Sequence, residues 1–349
     1  MQAIPSAARA AGILAQKLMK KVFTVLALTV FCSGQASAKP LSTESGWDFN
    51  INLSAGYISS QSQSSTNDEN AVTEDLNNNG TSTDTIMALP LVGLSYTLPS
   101  LKTQAYIGDS SDQISNAQFQ YELGIIQQFK DDSQLTLAYF PNLPLFNETW
   151  EDPYLTGQAR SKTDDDAQGI RMAFESIAGS PFTFKYAYAA SDVDQEKSGQ
   201  SLPSLTASDL SLLQRDSYFH RTELEMTFHM APSLFLKPAL QYTKRGADGE
   251  AHSYDKYIAQ LRILYFQQRH TLITTINAGT SKYAANNPVF NRKQDSNSVS
   301  VFSLYSYAKP FHWESIDFTI IAGYSQVNSD ITFYDQDTLI IASGFTYTY

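Results

Sequence analysis

The sequence predicts an all-β protein, a transmembrane antiparallel up-and-down β-barrel of 14 strands that follows a cleaved N-terminal signal peptide. Three observations lead to this fold class. Apolar and polar residues alternate along segments of roughly 9–13 residues, the length that a tilted strand needs to cross a bilayer. Long polar connections alternate with tight turns. A positively charged and then apolar stretch near the N-terminus has the form of an export signal.

The signal peptide is predicted from the stretch MKKVFTVLALTVFCSGQASAKP, which begins at Met19. Lys20 and Lys21 precede an apolar run that is too short to span a membrane, and Ala36–Ala38 supplies the small residues of a cleavage site. Residues 1–38 are therefore expected to be removed, and Met19 is a candidate for the true start of the chain.

The mature chain, residues 39–349, is predicted to form a single outer-membrane β-barrel domain. Cys32, the one cysteine of the sequence, lies in the predicted signal peptide, so no disulfide or cysteine metal site is expected in the mature chain. Removal of residues 1–38 takes away four basic residues and no acid, which changes the net charge from −11 to −15. This negative charge argues against nucleic acid as a partner. The mature chain also lacks an apolar run of roughly 18 residues, which a spanning helix would need.

Period-two alternation runs through the mature chain from its first strand to its last. Successive residues of a strand face opposite sides of the sheet, so each segment has one apolar face and one polar or small-residue face. The clearest segments are Trp47–Tyr57, Ala117–Ile125, Phe182–Tyr188 and Ile316–Tyr324.

The connections alternate between long loops and short turns, as in an outer-membrane barrel. Seven loops and six turns give 14 strands, with both chain ends on the side of the turns. The predicted loops are 60–84, 109–115, 141–166, 190–217, 244–252, 281–297 and 326–337. The predicted turns are 99–102, 130–133, 178–181, 229–232, 267–269 and 308–315.

The last strand must close against the first, because a bilayer does not tolerate an open sheet edge. Its outward row ends in Phe345, Tyr347 and Tyr349. This terminal aromatic row also resembles the signal by which barrel-assembly machinery recognises its clients.

Two features of the strands depart from a regular barrel. Pro90 and Pro238 lie inside predicted strands, where proline removes a ladder hydrogen bond and predicts a bulge. The strand at Thr103–Ile107 is short, so a barrel of 12 strands is the alternative.

Four segments, most of them in loops, are the most specific parts of the chain: NETWEDPYLTGQARSKTDDDAQGIRMAFESIAGSPFTF, DVDQEKSG, ANNPVFNRK and AGYSQVNSDITFYD. These segments resemble a Gram-negative outer-membrane family catalogued as a domain of unknown function (DUF2860). The resemblance covers essentially the whole mature chain. It implies a barrel in the outer membrane, and it implies no activity, substrate or catalytic residue.

Charged residues concentrate on the inward faces of the sixth to tenth predicted strands. The alternation predicts one charged wall with six basic and three acidic residues, and the remaining strands contribute only acids. The wall consists of Arg171, Glu175, Lys185, Arg221, Glu223, Glu225, Lys237, Lys256 and Arg262, and the acids opposite are Asp48, Glu122 and Asp317.

This distribution allows two interpretations. A basic wall that faces a weakly acidic one would create a transverse field that sorts charged solutes in a pore. Alternatively, the charges pair across neighbouring strands and fill the lumen as a ladder of salt bridges, since unpaired charges are costly in a narrow space.

The loops carry only weak motifs. Asp75, Asn77 and Asn79 match the opening of a calcium loop, but Ile86 stands where a bidentate glutamate belongs, so a polar turn is the preferred interpretation. Thr206 and Asp209 form a potential capping pair for a short helix whose leucines could fold into the barrel mouth.

A passive pore or uptake channel for small polar solutes is the leading prediction for function. The alternative is a surface receptor or adhesion barrel that acts through its acidic loops. An enzyme is a distant third, because the five histidines have no lumen serine or aspartate at a neighbouring position. Outer-membrane lipid, lipopolysaccharide and barrel-assembly machinery are the other expected partners, and no cofactor is expected.

Overall fold

The computed structural model describes residues 41–110, 120–142 and 148–349, so the predicted signal peptide lies outside the described residues. No helix within these ranges has the length and apolar composition to cross a membrane. The strands are β1 (Gly46–Gln61), β2 (Ser82–Leu98), β3 (Thr103–Ser110), β4 (Gln120–Gln128), β5 (Gln134–Phe140), β6 (Glu148–Trp150), β7 (Lys162–Glu175), β8 (Phe182–Val193), β9 (Ser217–Met226), β10 (Phe228–Ala231), β11 (Leu234–Ala247), β12 (Tyr254–Gln267), β13 (His270–Tyr283), β14 (Ser296–Ala308), β15 (Ile316–Ser329) and β16 (Gln336–Thr348). One α-helix, α1 (Ala207–Ser211), and 3₁₀ turns at Asp68–Asn70, Pro99–Leu101, Ile177–Gly179, Glu250–His252, Pro310–His312 and Thr332–Tyr334 complete the described elements.

The sheet closes on itself as a transmembrane β-barrel. Each strand pairs antiparallel with its neighbours, and β16 returns to β1 in a register that runs from Asn50 paired with Thr348 to Gln61 paired with Asp337. Short β10 continues the line of β9, and β6 pairs, within the described ranges, with the loop end of β7. The barrel wall therefore has 14 strands, and the prediction of 14 is confirmed. The 12-stranded alternative is wrong, because β3 pairs along its whole length with β4.

The two faces of the wall separate as the alternation predicts. Large apolar side chains are exposed on the outside, and aromatic residues lie near both ends, as expected for a surface in contact with lipid and its interfaces. Examples from the middle of the outer face are Leu53, Ile125, Leu137, Ile170, Leu224 and Ile341. Trp47, Phe182 and Tyr347 lie near the end with short turns (the turn end), and Tyr57, Tyr218, Tyr257 and Tyr324 lie near the end with long loops (the loop end).

Pro90 does not produce the predicted bulge. β2 keeps one continuous register with β1, in which Leu53 is paired with Pro90. On its other side, β2 pairs with β3 only from Leu94 to Leu98, so over the described ranges the segment around Pro90 has no strand partner there. The Tyr121 hydroxyl spans this place, where it accepts from Val92 N and donates to Pro90 O, each at 3.2 Å. The missing N–H of proline therefore faces a side where no ladder bond is made.

Pro238 is also without a bulge in its own strand. β11 pairs continuously with β12 through Pro238 and Leu261. The irregularity lies in the neighbouring strand, since the β9–β11 ladder ends at Glu225 and the chain breaks its strand at Thr227 before β10 begins. Proline thus marks the correct position of a ladder defect but not the strand that carries it.

The C-terminus takes part in closure. Tyr349 N donates to Phe49 O at 2.9 Å, and Phe49 N donates to Tyr349 O at 3.3 Å. Phe345 and Tyr347 lie on the exposed outer face. Recognition of this row by assembly machinery stays a prediction.

Candidate functional site

Three basic side chains on alternate strands lie in one register row across the lumen wall. Arg171 on β7 is paired in register with Ala187, which is paired with Arg221 on β9. Arg221 is paired with Thr243, and Thr243 is paired with Lys256 on β12. We call Arg171, Arg221 and Lys256 the basic row. Small residues between its members leave room for the long cationic side chains to extend into the lumen.

Next to the basic row, carboxylates bind most of the other lumen cations. Arg221 Nη2 donates to Glu223 Oε2 at 3.1 Å, and Lys185 Nζ lies 3.1 Å from Glu223 Oε1 as an ion pair. One strand further, Lys237 Nζ lies 3.1 Å from Glu225 Oε1. Both glutamates are buried, and a buried carboxylate is strongly destabilising unless a cation is paired with it. These contacts agree with the interpretation as a ladder of salt bridges.

Glu122 requires a correction, because it does not face the basic residues from an opposite wall. It lies on β4, where Arg171 Nε donates to its Oε2 at 3.0 Å. The Tyr106 hydroxyl donates to Glu122 Oε1 at 2.7 Å. Arg171 reaches across β5 because its register neighbours toward β4 are the small residues Ala138 and Gly124. Glu122 is therefore the ion-pair partner of the basic row.

The other predicted acids also fail to form an opposing wall. Asp48 and Asp317 lie close to the turn-end starts of β1 and β15, away from the middle of the lumen. Glu175 ends β7 at the same end and is paired in register with Gln134. No acidic wall thus faces the basic one at mid-height among the described residues, and the transverse field stays a prediction.

Two lumen cations have no acidic partner within the described part of the chain. Neither Lys256 nor Arg262 has a carboxylate oxygen within the 4.0 Å of a salt bridge there. Lys237, the register neighbour of Arg262, is itself bound to Glu225. The charged side of the lumen thus keeps uncompensated positive charge.

The side of the lumen away from the basic row is uncharged and partly apolar near mid-height. Ile321 and Ala342 are buried there, and Leu304, Ile340 and Met87 pack against them. These residues come from β14, β15, β16 and β2, which lie across the ring from β9 at the centre of the basic row. The lumen therefore has one cationic side and one apolar side.

Six of the loops pack together at the loop end of the barrel. Tyr154, Leu213, Ala251, Ile331 and Phe333 form a buried apolar cluster. We call this cluster and the side chains packed on it the loop cap. The further members are Leu76, Leu202, Leu205, Leu212, Val289, Phe290 and Tyr334.

Hydrogen bonds link distant loops inside the loop cap. The hydroxyls of Tyr154 and Tyr334 lie 2.6 Å apart, and Asn287 Nδ2 donates to them at 3.0 and 2.8 Å. Burial raises the pKa of both tyrosines, so the hydroxyls stay neutral. This triad joins three separate connections of the barrel.

Arg160 fastens the first loop to the third. Its guanidinium donates to the backbone carbonyls of Gln63, at 3.1 Å, and of Asn70, and it lies 4.5 Å from the Trp150 ring centre. Burial lowers the pKa of Arg160 to about 10, and the charge of Asp152 partly opposes this effect. Arg160 therefore remains charged at neutral pH and binds the carbonyl dipoles of the first loop, where Gln63 O also accepts from Trp150 Nε1.

The predicted short helix is present. Thr206 Oγ1 accepts from Asp209 N at 3.2 Å, and Asp209 Oδ2 accepts from Thr206 N at 2.8 Å, which makes a capping box at the start of α1. Leu213, just beyond the helix, is fully buried in the loop cap. The helix thus serves to anchor the fourth loop.

Two other loop predictions have different outcomes. The Asp75 carboxylate accepts from Asn77 N at 2.7 Å, which is a turn within the loop. No cluster of three metal-ligating side chains occurs among the residues that the structure describes. Asp164, Asp165 and Asp166 belong to β7 and not to the predicted loop 141–166, and buried Asp165 accepts from Ser191 Oγ.

Sequence reasoning missed Tyr106 and Arg160 as parts of these sites. Tyr106 carried no signal, since inward tyrosines are common in barrels and its partner Glu122 lies on another strand. Arg160 is one of two basic residues, with Lys162, in the acidic predicted loop 141–166, and this contrast was the one available signal.

Several solved outer-membrane proteins are similar in structure to this chain. The outer membrane channel DcaP of Acinetobacter baumannii matches with a TM-score of 0.45 and 10% identity, over 90% of this chain and 100% of that chain. An anion-selective porin from Comamonas acidovorans matches with a TM-score of 0.42 and 10% identity, over 88% and 100%. OmpT of Vibrio cholerae matches with a TM-score of 0.42 and 9% identity, over 89% and 100%. No curated protein matches this sequence. The profile of the family described as "Protein of unknown function (DUF2860)" matches residues 46–348, and the chain belongs to that family.

Proposed function

We propose that this protein is a solute channel of the Gram-negative outer membrane that passes small polar solutes and prefers anions. The observation that carries the proposal is the basic row, together with the lack of an acidic partner for Lys256 in the described ranges. A cationic strip along the wall of a low-dielectric tube raises the local concentration of anions and lowers that of cations.

The size of the barrel supports this proposal. Barrels of about 8 strands are filled by their own side chains, whereas those of 16–18 strands hold an aqueous channel. A wall of 14 strands lies toward the roomy end of that range. Among the described residues, the ion pairs of the lumen occupy one side, from β4 to β11, and leave the uncharged side for the solute.

The loop cap implies that the channel is selective rather than a permanently open pore. Loops that only fringed a mouth would not share a buried apolar cluster or a hydrogen-bonded triad. A solute that enters from outside must pass or displace these loops, so we expect brief openings and a long closed state.

Planar-bilayer recording tests the proposal. Purified mature protein should conduct, its reversal potential in a KCl gradient should indicate anion preference, and Arg221→Ala with Lys256→Ala should shift that potential toward cation preference. Lys130→Ala, which removes one exposed charge at a turn, is the control and should leave the potential unchanged.

The cap needs its own variant in this experiment. Arg160→Ala should increase the open time, because it weakens the attachment of the first loop to the third. Silence from both the wild type and Arg160→Ala, with heat-modifiable gel migration proving that they are folded, would overturn the channel proposal. An unchanged reversal potential in the double variant would overturn the role of the basic row.

The loop cap also favours a second candidate, a surface receptor barrel. A rigid, acidic surface built from six loops offers a defined docking site without any open lumen. Folded protein that is silent in both variants of the bilayer experiment, but whose loops bind a cell-surface or phage protein, would favour this alternative.

A further inference from the structure

We infer that Arg262 and Phe302 form a binding site in the lumen for an organic anion with an aromatic or branched apolar body. The inference rests on the proposed channel function and names the class of solute for it. The site lies where the cationic side of the lumen meets the apolar side.

Register places the two residues on the same face, two strands apart. Arg262 on β12 is paired with Thr275, and Thr275 is paired with Phe302 on β14. Two strand spacings amount to about 10 Å, and the small side chain of Thr275 leaves the space between them open. A carboxylate held by the guanidinium would therefore place a compact apolar group against the Phe302 ring.

Phe302 is held with its ring uncovered. It faces the lumen, and 42% of it is exposed there. Its register partner is Gly323, and a Cβ there would lie 3.1 Å from Phe302 Cδ2 and 2.9 Å from Ile340 Cγ2. Glycine thus lets the ring lie flat against the wall, in line with the apolar cluster of Leu304 and Ile321.

The polar half of the site has binding capacity that the described residues do not use. Arg262 has no carboxylate within salt-bridge distance among them, because Glu225 is bound by the adjacent Lys237. Gln260 Nε2 and Asn277 Oδ1, on register-paired residues, bond neither each other nor any other described group. The guanidinium and the amide are donors that suit a carboxylate, and Asn277 Oδ1 remains for a hydroxyl on the ligand.

The combination of these two halves decides the class of ligand. A simple inorganic anion would use the cation but not the exposed ring, and a neutral hydrocarbon would use the ring but leave the cation unpaired. A small aromatic carboxylate satisfies both, because its charge meets Arg262 and its ring displaces water from Phe302.

Calorimetric titration of the mature protein in lipid nanodiscs tests the inference, with empty nanodiscs as the reference. Benzoate, acetate and benzyl alcohol are the probes, since they separate the charge from the ring. We expect benzoate to bind at least tenfold more tightly than either of the other two.

Two variants assign the halves of the site. Phe302→Ala should weaken benzoate about tenfold and acetate less than twofold, whereas Arg262→Gln should weaken both anions and leave benzyl alcohol unaffected. Val301→Ala is the matched control, because Val301 lies on the same strand and faces the outside. Equal affinity for benzoate and acetate, or a Phe302→Ala variant with unchanged benzoate binding, would overturn the inference.

The outcome is separable from that of the proposed function. Anion-selective conductance without preference for benzoate would refute the binding site and leave the channel proposal standing. The protein could instead bind benzoate tightly, lose that binding in Phe302→Ala, and show no conductance in bilayers. That result would support the binding site and refute the channel proposal. Heat-modifiable migration of every variant shows that lost binding is not lost folding.

Discussion

Replacement of Arg171 by glutamine tests whether the lumen ion pairs hold the barrel wall together. Glu122 is 3% exposed and receives two kinds of donor, the Arg171 guanidinium and the Tyr106 hydroxyl. Arg171→Gln removes the charge and leaves a buried carboxylate with the hydroxyl alone.

The expected cost follows from these contacts. Removal of one partner of a buried ion pair costs about 3–5 kcal/mol, because the other charge stays buried without compensation. The retained 2.7 Å bond from Tyr106 still stabilises the carboxylate, so a loss of about 3 kcal/mol, at the lower end, is expected. Arg171→Gln combined with Glu122→Gln removes both charges of this pair and should regain at least half of that loss.

Urea titration of the protein folded into lipid vesicles, followed by tryptophan fluorescence and gel migration, measures these free energies of unfolding. Lys130→Gln, at an exposed turn, controls for the loss of one positive charge. A loss below about 1 kcal/mol in Arg171→Gln would refute the reasoning, because a buried unpaired carboxylate should cost more than that. A double variant no more stable than Arg171→Gln alone would refute it as well.

Three further predictions concern the chain end and the loop cap. Deletion of Phe345–Tyr349, or a charge in place of Tyr349, should block membrane assembly and leave degradation products, and normal levels of the variant in outer-membrane fractions would contradict this. Arg160→Ala should expose the first and third loops to limited proteolysis at least tenfold faster than the wild type, while Lys293→Ala, at an exposed position of the sixth loop, should not. Burial, reinforced by Arg245 and Arg215, holds the pKa of His252 well below 6.5, so the packed cap keeps it neutral. As pH falls below 6.5 the opened loop takes up a proton that the packed loop does not, so cap stability measured by hydrogen exchange should decrease, and His252→Gln should remove that part of the pH dependence.

The fold was predictable because apolar and polar residues alternate locally along each strand. Segments such as Trp47–Tyr57 indicate which face of a strand is apolar. The acidic or glycine-containing stretches between such segments indicate where the strands end. The prolines show the limit of this reasoning. Pro238 signals a defect in the ladder, but only the register reveals that β9 carries it at Thr227.

The sites were less predictable, because they depend on contacts between strands and loops that lie far apart in sequence. Arg171 meets Glu122 only because Gly124 and Ala138 are small and in register. Tyr154 meets Tyr334 across 180 residues of chain, and each alone looks like an ordinary loop tyrosine. Inward direction follows from a period of two, whereas the identity of a partner follows from the register.

The pairing of β2 also decides how the cylinder fails. Where the chain ends meet, β1 and β16 are joined from Asn50 to Gln61, but the join between β2 and β3, counted over the described residues, extends only from Leu94 to Leu98. Under lateral tension the shorter seam parts first, since it has the fewest hydrogen bonds to break. The wall then opens into a sheet whose free edges are β2 and β3. The hairpin of β1 and β2 stays hydrogen-bonded to β16 in that sheet. The join between the first and the last strand therefore outlasts the shorter join between β2 and β3.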